Sequence, residues 1–99
     1  SVEKYAKEYL AMGINTVDKD KVLNYILVVA NGKRTAKLNY KDIPDLRISK
    51  EQYEIVLEEF KNRRFIDYKG YDIEYLTLNF EIFNFAEKGD SLLKETYIY

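Results

Sequence analysis

Residues 48–66, ISKEQYEIVLEEFKNRRFI, constrain the fold of this chain more than any other stretch. Ser49 is a good N-cap and Gln52 stands three residues on, so the pair predicts a capping box. Ile48 before the cap and Tyr53 at the fourth helical position are placed as a hydrophobic staple. Glu51 falls in the first turn, and Lys61, Arg63 and Arg64 fall in or just past the last, the order the helix dipole favours. Tyr53, Val56, Leu57 and Phe60 recur at i, i+3, i+4, i+7 and predict one buried stripe. The helix must then stop, because RFIDYKGYDIEYLTLNF follows at once and reads as a β-hairpin. Phe65–Lys69 predicts one strand, Gly70 the turn, and Ile73–Phe80 the return, with Leu76, Leu78 and Phe80 on one face.

The rest of the chain is arranged around this unit. Residues 2–12 place Val2, Tyr5, Tyr9 and Met12, with Ala6, on one helical stripe, and Gly13 is a plausible C-cap. This helix is expected either to pack on its own domain or to pair with another copy. Asp18 or Asp20 can cap the next helix, KVLNYILVVAN, which stops at Asn31-Gly32. Its residues Val22, Leu23, Ile26, Leu27, Val29 and Ala30 are apolar nearly all round and predict a central position, although the β-branched content leaves a strand open. Residues 33–46 are polar and basic, then form a short element near Tyr40–Leu46. Pro44 pushes Ile43 toward an extended conformation, so any helix there is short or starts at the proline. EIFNF extends the last strand or leads out of it. AEKGDSLLKE, residues 86–95, predicts a short terminal helix anchored by Leu92 and Leu93, and the tail TYIY is apolar enough to pack. The expected architecture is one α+β domain over residues 1–99. It is winged helix-turn-helix-like, with three to five helices and a β-hairpin wing in the C-terminal half.

Composition excludes more chemistry than it suggests. The 99 residues contain neither cysteine nor histidine, which removes disulfides, thiol nucleophiles, Cys/His zinc sites and every histidine-based acid–base arrangement. The chain has no P-loop, GxGxxG, calcium-loop or GxSxG pattern. Asp18/Asp20 read as caps, Asp42/Asp45 as turn residues around Pro44, and Glu54/Glu58 as a solvent-facing pair. No enzyme, cofactor or metal is therefore expected. No apolar run approaches a membrane span, and no basic-then-apolar leader opens the sequence, which begins at Ser1 as a trimmed start would. A cytoplasmic setting fits. Ten tyrosines and five phenylalanines without tryptophan predict an aromatic core whose amphipathic rings reach the surface.

Three segments carry a resemblance: DKDKVLNYIL at the first core helix, ISKEQYEIVLEEFKNRRFI at the third helix and wing entry, and FAEKGDSLLKE after the wing. With these the chain resembles the YjcQ-like proteins, small winged-helix proteins of phages and prophages. The resemblance covers residues 18–95 and leaves the helix at 2–13 outside. Arg63-Arg64 stand where a glycine often turns the family's chain into the wing, and Phe85-Ala86 replace the usual Leu-Thr. The resemblance implies a fold, a phage-type origin and hence a host-cell cytoplasm. It implies no catalytic residue.

The winged fold suggests duplex DNA as partner, and charge tests the suggestion. The formal net charge is −1, yet residues 33–69 carry ten basic against seven acidic side chains while residues 70–99 carry two against six. Phosphate neutralisation would use Lys50, Lys61, Arg63 and Arg64 at the ends of the third helix and Lys69 on the wing. The helix face itself argues otherwise. Its outermost positions are Glu51, Ile55, Glu58 and Asn62, flanked by Glu54 and Glu59, an acidic surface around one isoleucine where base edges would be read. Glu59–Arg63 pairing at i, i+4 would add only about 0.2–0.5 kcal/mol. The sequence thus carries two readings: a DNA-binding or regulatory protein acting through the basic segment, or a protein-interaction or assembly module. The second would use Tyr5, Tyr9 and Ile55 as contacts with a partner or with itself as a homodimer.

Overall fold

The computed structural model describes residues 2–89 and 91–96. Along the chain run α1 (Val2–Met12), α2 (Thr16–Ala30), β1 (Thr35–Lys37), a 3-10 turn (Tyr40–Asp42) and α3 (Lys50–Asn62). Then come β2 (Ile66–Lys69), β3 (Asp72–Leu78), α4 (Phe80–Glu87) and α5 (Leu92–Thr96). The architecture is α+β and winged-helix-like, with an antiparallel sheet in the order β1-β3-β2. Residues 97–99 of the apolar tail lie outside the described residues.

The best-specified helix forms as its sequence demands. Ser49 Oγ accepts from Gln52 N–H, and Gln52 Oε1 accepts from Ser49 N–H, closing the capping box. Tyr53, Val56, Leu57 and Phe60 are buried to the last per cent or so, and Val56, Leu57 and Phe60 each contribute roughly 1.5–3 kcal/mol through removal from water. At the other end Phe65 N–H donates to Phe60 O and Arg64 N–H to Lys61 O, a Schellman closure. Its left-handed position is taken by Arg64 at φ 63° instead of a glycine. This closure turns α3 into β2 without a loop.

Helix α2 is central, with Val22, Leu23, Ile26 and Ala30 buried. Its N-cap is Asn15, whose side chain accepts from Val17 N–H, and neither Asp18 nor Asp20 plays that part. Asp18 sits within the first turn, buried, with Oδ1 accepting from Arg47 N–H. Asn31 closes the helix in the left-handed conformation. Pro44 has the expected effect: the second element of the helix-turn-helix shrinks to a single 3-10 turn that ends before it.

The sheet has a strand that local pattern does not announce. Thr35, Ala36 and Lys37 pair with Thr77, Leu76 and Tyr75 of β3, turning Ala36 and Leu76 inward. On the other side Ile66 faces Leu78 and Asp67 faces Thr77, with a bulge before Lys69. The return strand ends at Leu78, short of the expected Phe80. There Leu78 N–H donates to Arg34 O and Asn79 N–H to Phe65 O, the last partners either neighbouring strand offers. Beyond that point the backbone satisfies itself as a helix. Phe80 opens α4, exposed under the Arg34 guanidinium, while Ile82 is buried. The expected terminal helix over 86–95 is therefore two helices, broken after Lys88 where Gly89 adopts φ 72°.

Candidate interaction face

Helix α3 has an outer face, and α1 lies across it. Gln52 Nε2 donates to Leu10 O at 3.2 Å, a carbonyl in the last turn of α1 that also accepts from Gly13 N–H. Lys7 Nζ meets Glu58 Oε2 at 2.6 Å. Ala6, Lys7 and Leu10 stand over Glu54, Ile55 and Glu58 across a shallow groove. Gly13 lets the end of α1 approach, because a Cβ there would sit 3.3 Å from Gln52 Nε2. Ile55, expected at the open surface, is half-buried and packs against the core. The acidic face of α3 is thus partly neutralised from within the chain: Lys7 serves Glu58, and Lys19 of α2 serves Glu59 at 3.2 Å.

Docking α1 this way turns its other side outward. Val2, Tyr5, Tyr9 and Met12 are 84, 72, 79 and 85% exposed. The side of α1 that packs is the side with Leu10 and Lys7, and the apolar stripe looks to solvent. Tyr5 and Tyr9 therefore belong to one continuous seam that Val2 and Met12 complete. Their 3-4-3 spacing is legible in the sequence and distinguishes them from the denser stripe of α3.

Of the five basic candidates for nucleic acid, Lys61, Arg63 and Arg64 stand at the C-terminal end of α3 with Lys69 on the adjoining strand, and Lys50 stands apart. Arg63 donates from both terminal nitrogens to the Glu95 carboxylate at 2.9 Å, with its guanidinium 4.6 Å over Phe65 and 5.2 Å over Phe85. It ties the end of α3 to α4 and α5, and it is not paired with Glu59. The Arg63 guanidinium in turn holds the Glu95 carboxyl below its usual range, with desolvation opposing. Lys61 lies 3.7 Å from Asp67 and 4.6 Å over the Tyr68 ring. Burial pushes the Tyr68 phenol up, helped by the charges of Glu58, Asp67 and Glu54. Arg64 and Lys69 are exposed beside the wing. Lys50 is exposed at the opposite end of α3, about 20 Å from Arg64 at 1.5 Å of rise per residue.

A second concavity, about 420 Å³, lies between the 3-10 turn, the start of α3 and the wing, lined by Tyr40, Lys50, Tyr53 and Glu74 among others. The buried Tyr53 hydroxyl has no hydrogen-bond partner among the described residues. Burial first, and the Glu74 charge second, push its phenol up to about 12. Among the described residues no cluster of three or more carboxylates could hold a metal ion, and no helix is long and apolar enough to cross a membrane. No protein-family model, curated protein or solved structure matches the chain.

Proposed function

We propose that this chain is a non-catalytic protein-interaction module built on a winged-helix-like frame, meeting its partner through the outer face of α1. On its resemblance to the YjcQ-like proteins we read it as phage- or prophage-type, acting in the host cytoplasm. The observation that carries this reading is the orientation of α1. Its polar side and Leu10 cover the face of α3 that a helix-turn-helix protein would offer to base edges, while four large apolar side chains are left outside. Contiguous exposed apolar surface of this kind favours a protein contact over a phosphate contact. Two of the cations best placed for DNA, Arg63 and Lys61, already face carboxylates.

The competing DNA reading supplies the test. A labelled mixed-sequence duplex titrated with the whole chain at low salt should show no binding. Salt-dependent binding that Arg64→Glu/Lys69→Glu abolishes would overturn the interaction reading, because these two exposed cations are what a wing would place on a phosphate backbone.

A further inference from the structure

We infer that the partner is a second copy of this chain, with α1 packed antiparallel against α1 of its partner about a two-fold axis; this rests on the outer face of α1 being a contact surface. Val2, Tyr5, Tyr9 and Met12 repeat at 3-4-3 spacing, the a/d pattern of a two-helix seam, which is narrower than the stripe that docks a helix on a broad core. α3 shows the contrast, with Tyr53, Val56, Leu57 and Phe60 at 3-1-3 spacing sunk into its own domain.

The seam is complementary to itself when reversed. Antiparallel pairing centred on Lys7 sets Tyr5 opposite Tyr9 and Val2 opposite Met12, then repeats both layers through the two-fold. The two end layers are then equal in volume, each a Val2 beside a Met12, whereas parallel pairing would leave a small Val2–Val2 layer at one end and a larger Met12–Met12 layer at the other. The flanks agree. At 100° per residue Lys4 and Glu8 lie on one side of the seam, and Ala6 and Gly13 on the other. Reversal brings Lys4 of each copy within about two residues, roughly 3 Å of rise, of Glu8 on the other. The two Glu8 carboxylates also approach each other, each between lysines from both chains. Parallel pairing would set this charged flank against Ala6 and Gly13, where nothing answers it.

The area is enough for a weak, specific dimer. Two tyrosines at about 150–200 Å² each, with about 250 Å² from Val2 and Met12 together, allow each copy to bury roughly 600 Å². About 1,200 Å² in total is the low edge of stable interfaces, so the dimer should form over a micromolar concentration range.

Sedimentation of the whole chain across that range should show the mass doubling. Tyr5→Glu/Tyr9→Glu should raise the dissociation constant at least 100-fold while leaving the unfolding of the dilute protein unchanged, since both rings are exposed in the monomer. The chain has no cysteine of its own, so orientation can be read by cross-linking. Val2→Cys/Met12→Cys should form a disulfide-linked dimer under mild oxidation, and Val2→Cys alone should not. Efficient linking by Val2→Cys alone would overturn the antiparallel arrangement. A monomer at every concentration would overturn the pairing itself. The duplex titration then separates the two failures: a monomer without DNA affinity loses only self-pairing, and a monomer that binds duplex loses the interaction reading as well.

Discussion

Helices α1 and α3 are both amphipathic, and their apolar faces have opposite fates. The stripe of α3 is wholly inside, while that of α1 is almost wholly outside. Local signals do not explain the difference, because both helices have a clean apolar side and charges on the other. The neighbours explain it. α3 is capped, turned into β2 and held between α2 and the sheet, so its stripe has one available core. α1 meets the outer side of α3, where Ile55 and glutamates stand, and the matching surface on α1 is Leu10 with Lys7. Amphipathicity states that a helix has a face to bury. It does not state against what.

Truncating one side chain from each stripe should give the largest difference between the two helices. Phe60→Ala should cost about 3–5 kcal/mol in denaturant unfolding, since the site is closed and cannot collapse fully. Tyr9→Ala, measured at high dilution, should change stability by less than about 0.5 kcal/mol. Comparable losses at the two sites would mean that α1 buries its stripe in the folded monomer.

The next effect is a pH dependence inside the α3 stripe that α1 should lack. Tyr53 is buried with its phenol held up to about 12, against an ordinary value near 10. An acid raised in the folded state contributes fully below the unfolded pKa and loses that contribution as pH rises toward the folded one. Unfolding free energy should therefore fall between pH 10 and 12, by on the order of 2 kcal/mol from this group. Tyr53→Phe should flatten that fall. Near neutral pH the same variant should be neutral or stabilising by up to about 1 kcal/mol, because the hydroxyl it removes has no partner. A large loss at neutral pH would show that the hydroxyl is hydrogen-bonded in solution.

The smallest effect lies at the exit from α3. Arg64 holds a left-handed backbone, which costs an L-residue about 1 kcal/mol that glycine avoids. Arg64→Gly should raise stability by up to about 1 kcal/mol, and the gain should appear in thermal unfolding without a change in the spectrum of the fold. No gain would mean that the Arg64 side chain makes a compensating contact.

These cases also show where the sequence could be read and where it could not. Ser49, Gln52 and the Tyr53–Phe60 stripe were legible because capping and periodicity act within a few residues. Gly70, Asn31 and Pro44 were legible for the same reason. β1 was not, since three residues, Thr-Ala-Lys, become a strand only through pairing with Tyr75–Thr77 far along the chain. The end of β3 at Leu78 was hidden likewise, being set by where its neighbours Arg34 and Phe65 run out. At the candidate face, the sequence contained the Val2–Tyr5–Tyr9–Met12 seam and the acidic outer side of α3 as separate features. It placed Ile55 outside, and it assigned Arg63 to Glu59 or to phosphate, whereas the fold gives it to Glu95.

By itself the sequence determined the chemistry available, with no cysteine or histidine to act, and the local frame of a capped helix turning into a hairpin. Those are consequences of residue type and near-neighbour geometry. Only the tertiary structure decided which face of α1 packs, that α3 is covered on its outer side, and which cations are already neutralised. Such outcomes depend on competition among surfaces distant in sequence: Lys7 and Leu10 meet Glu58 and Gln52 on α3, and the larger apolar stripe of α1 is left outside.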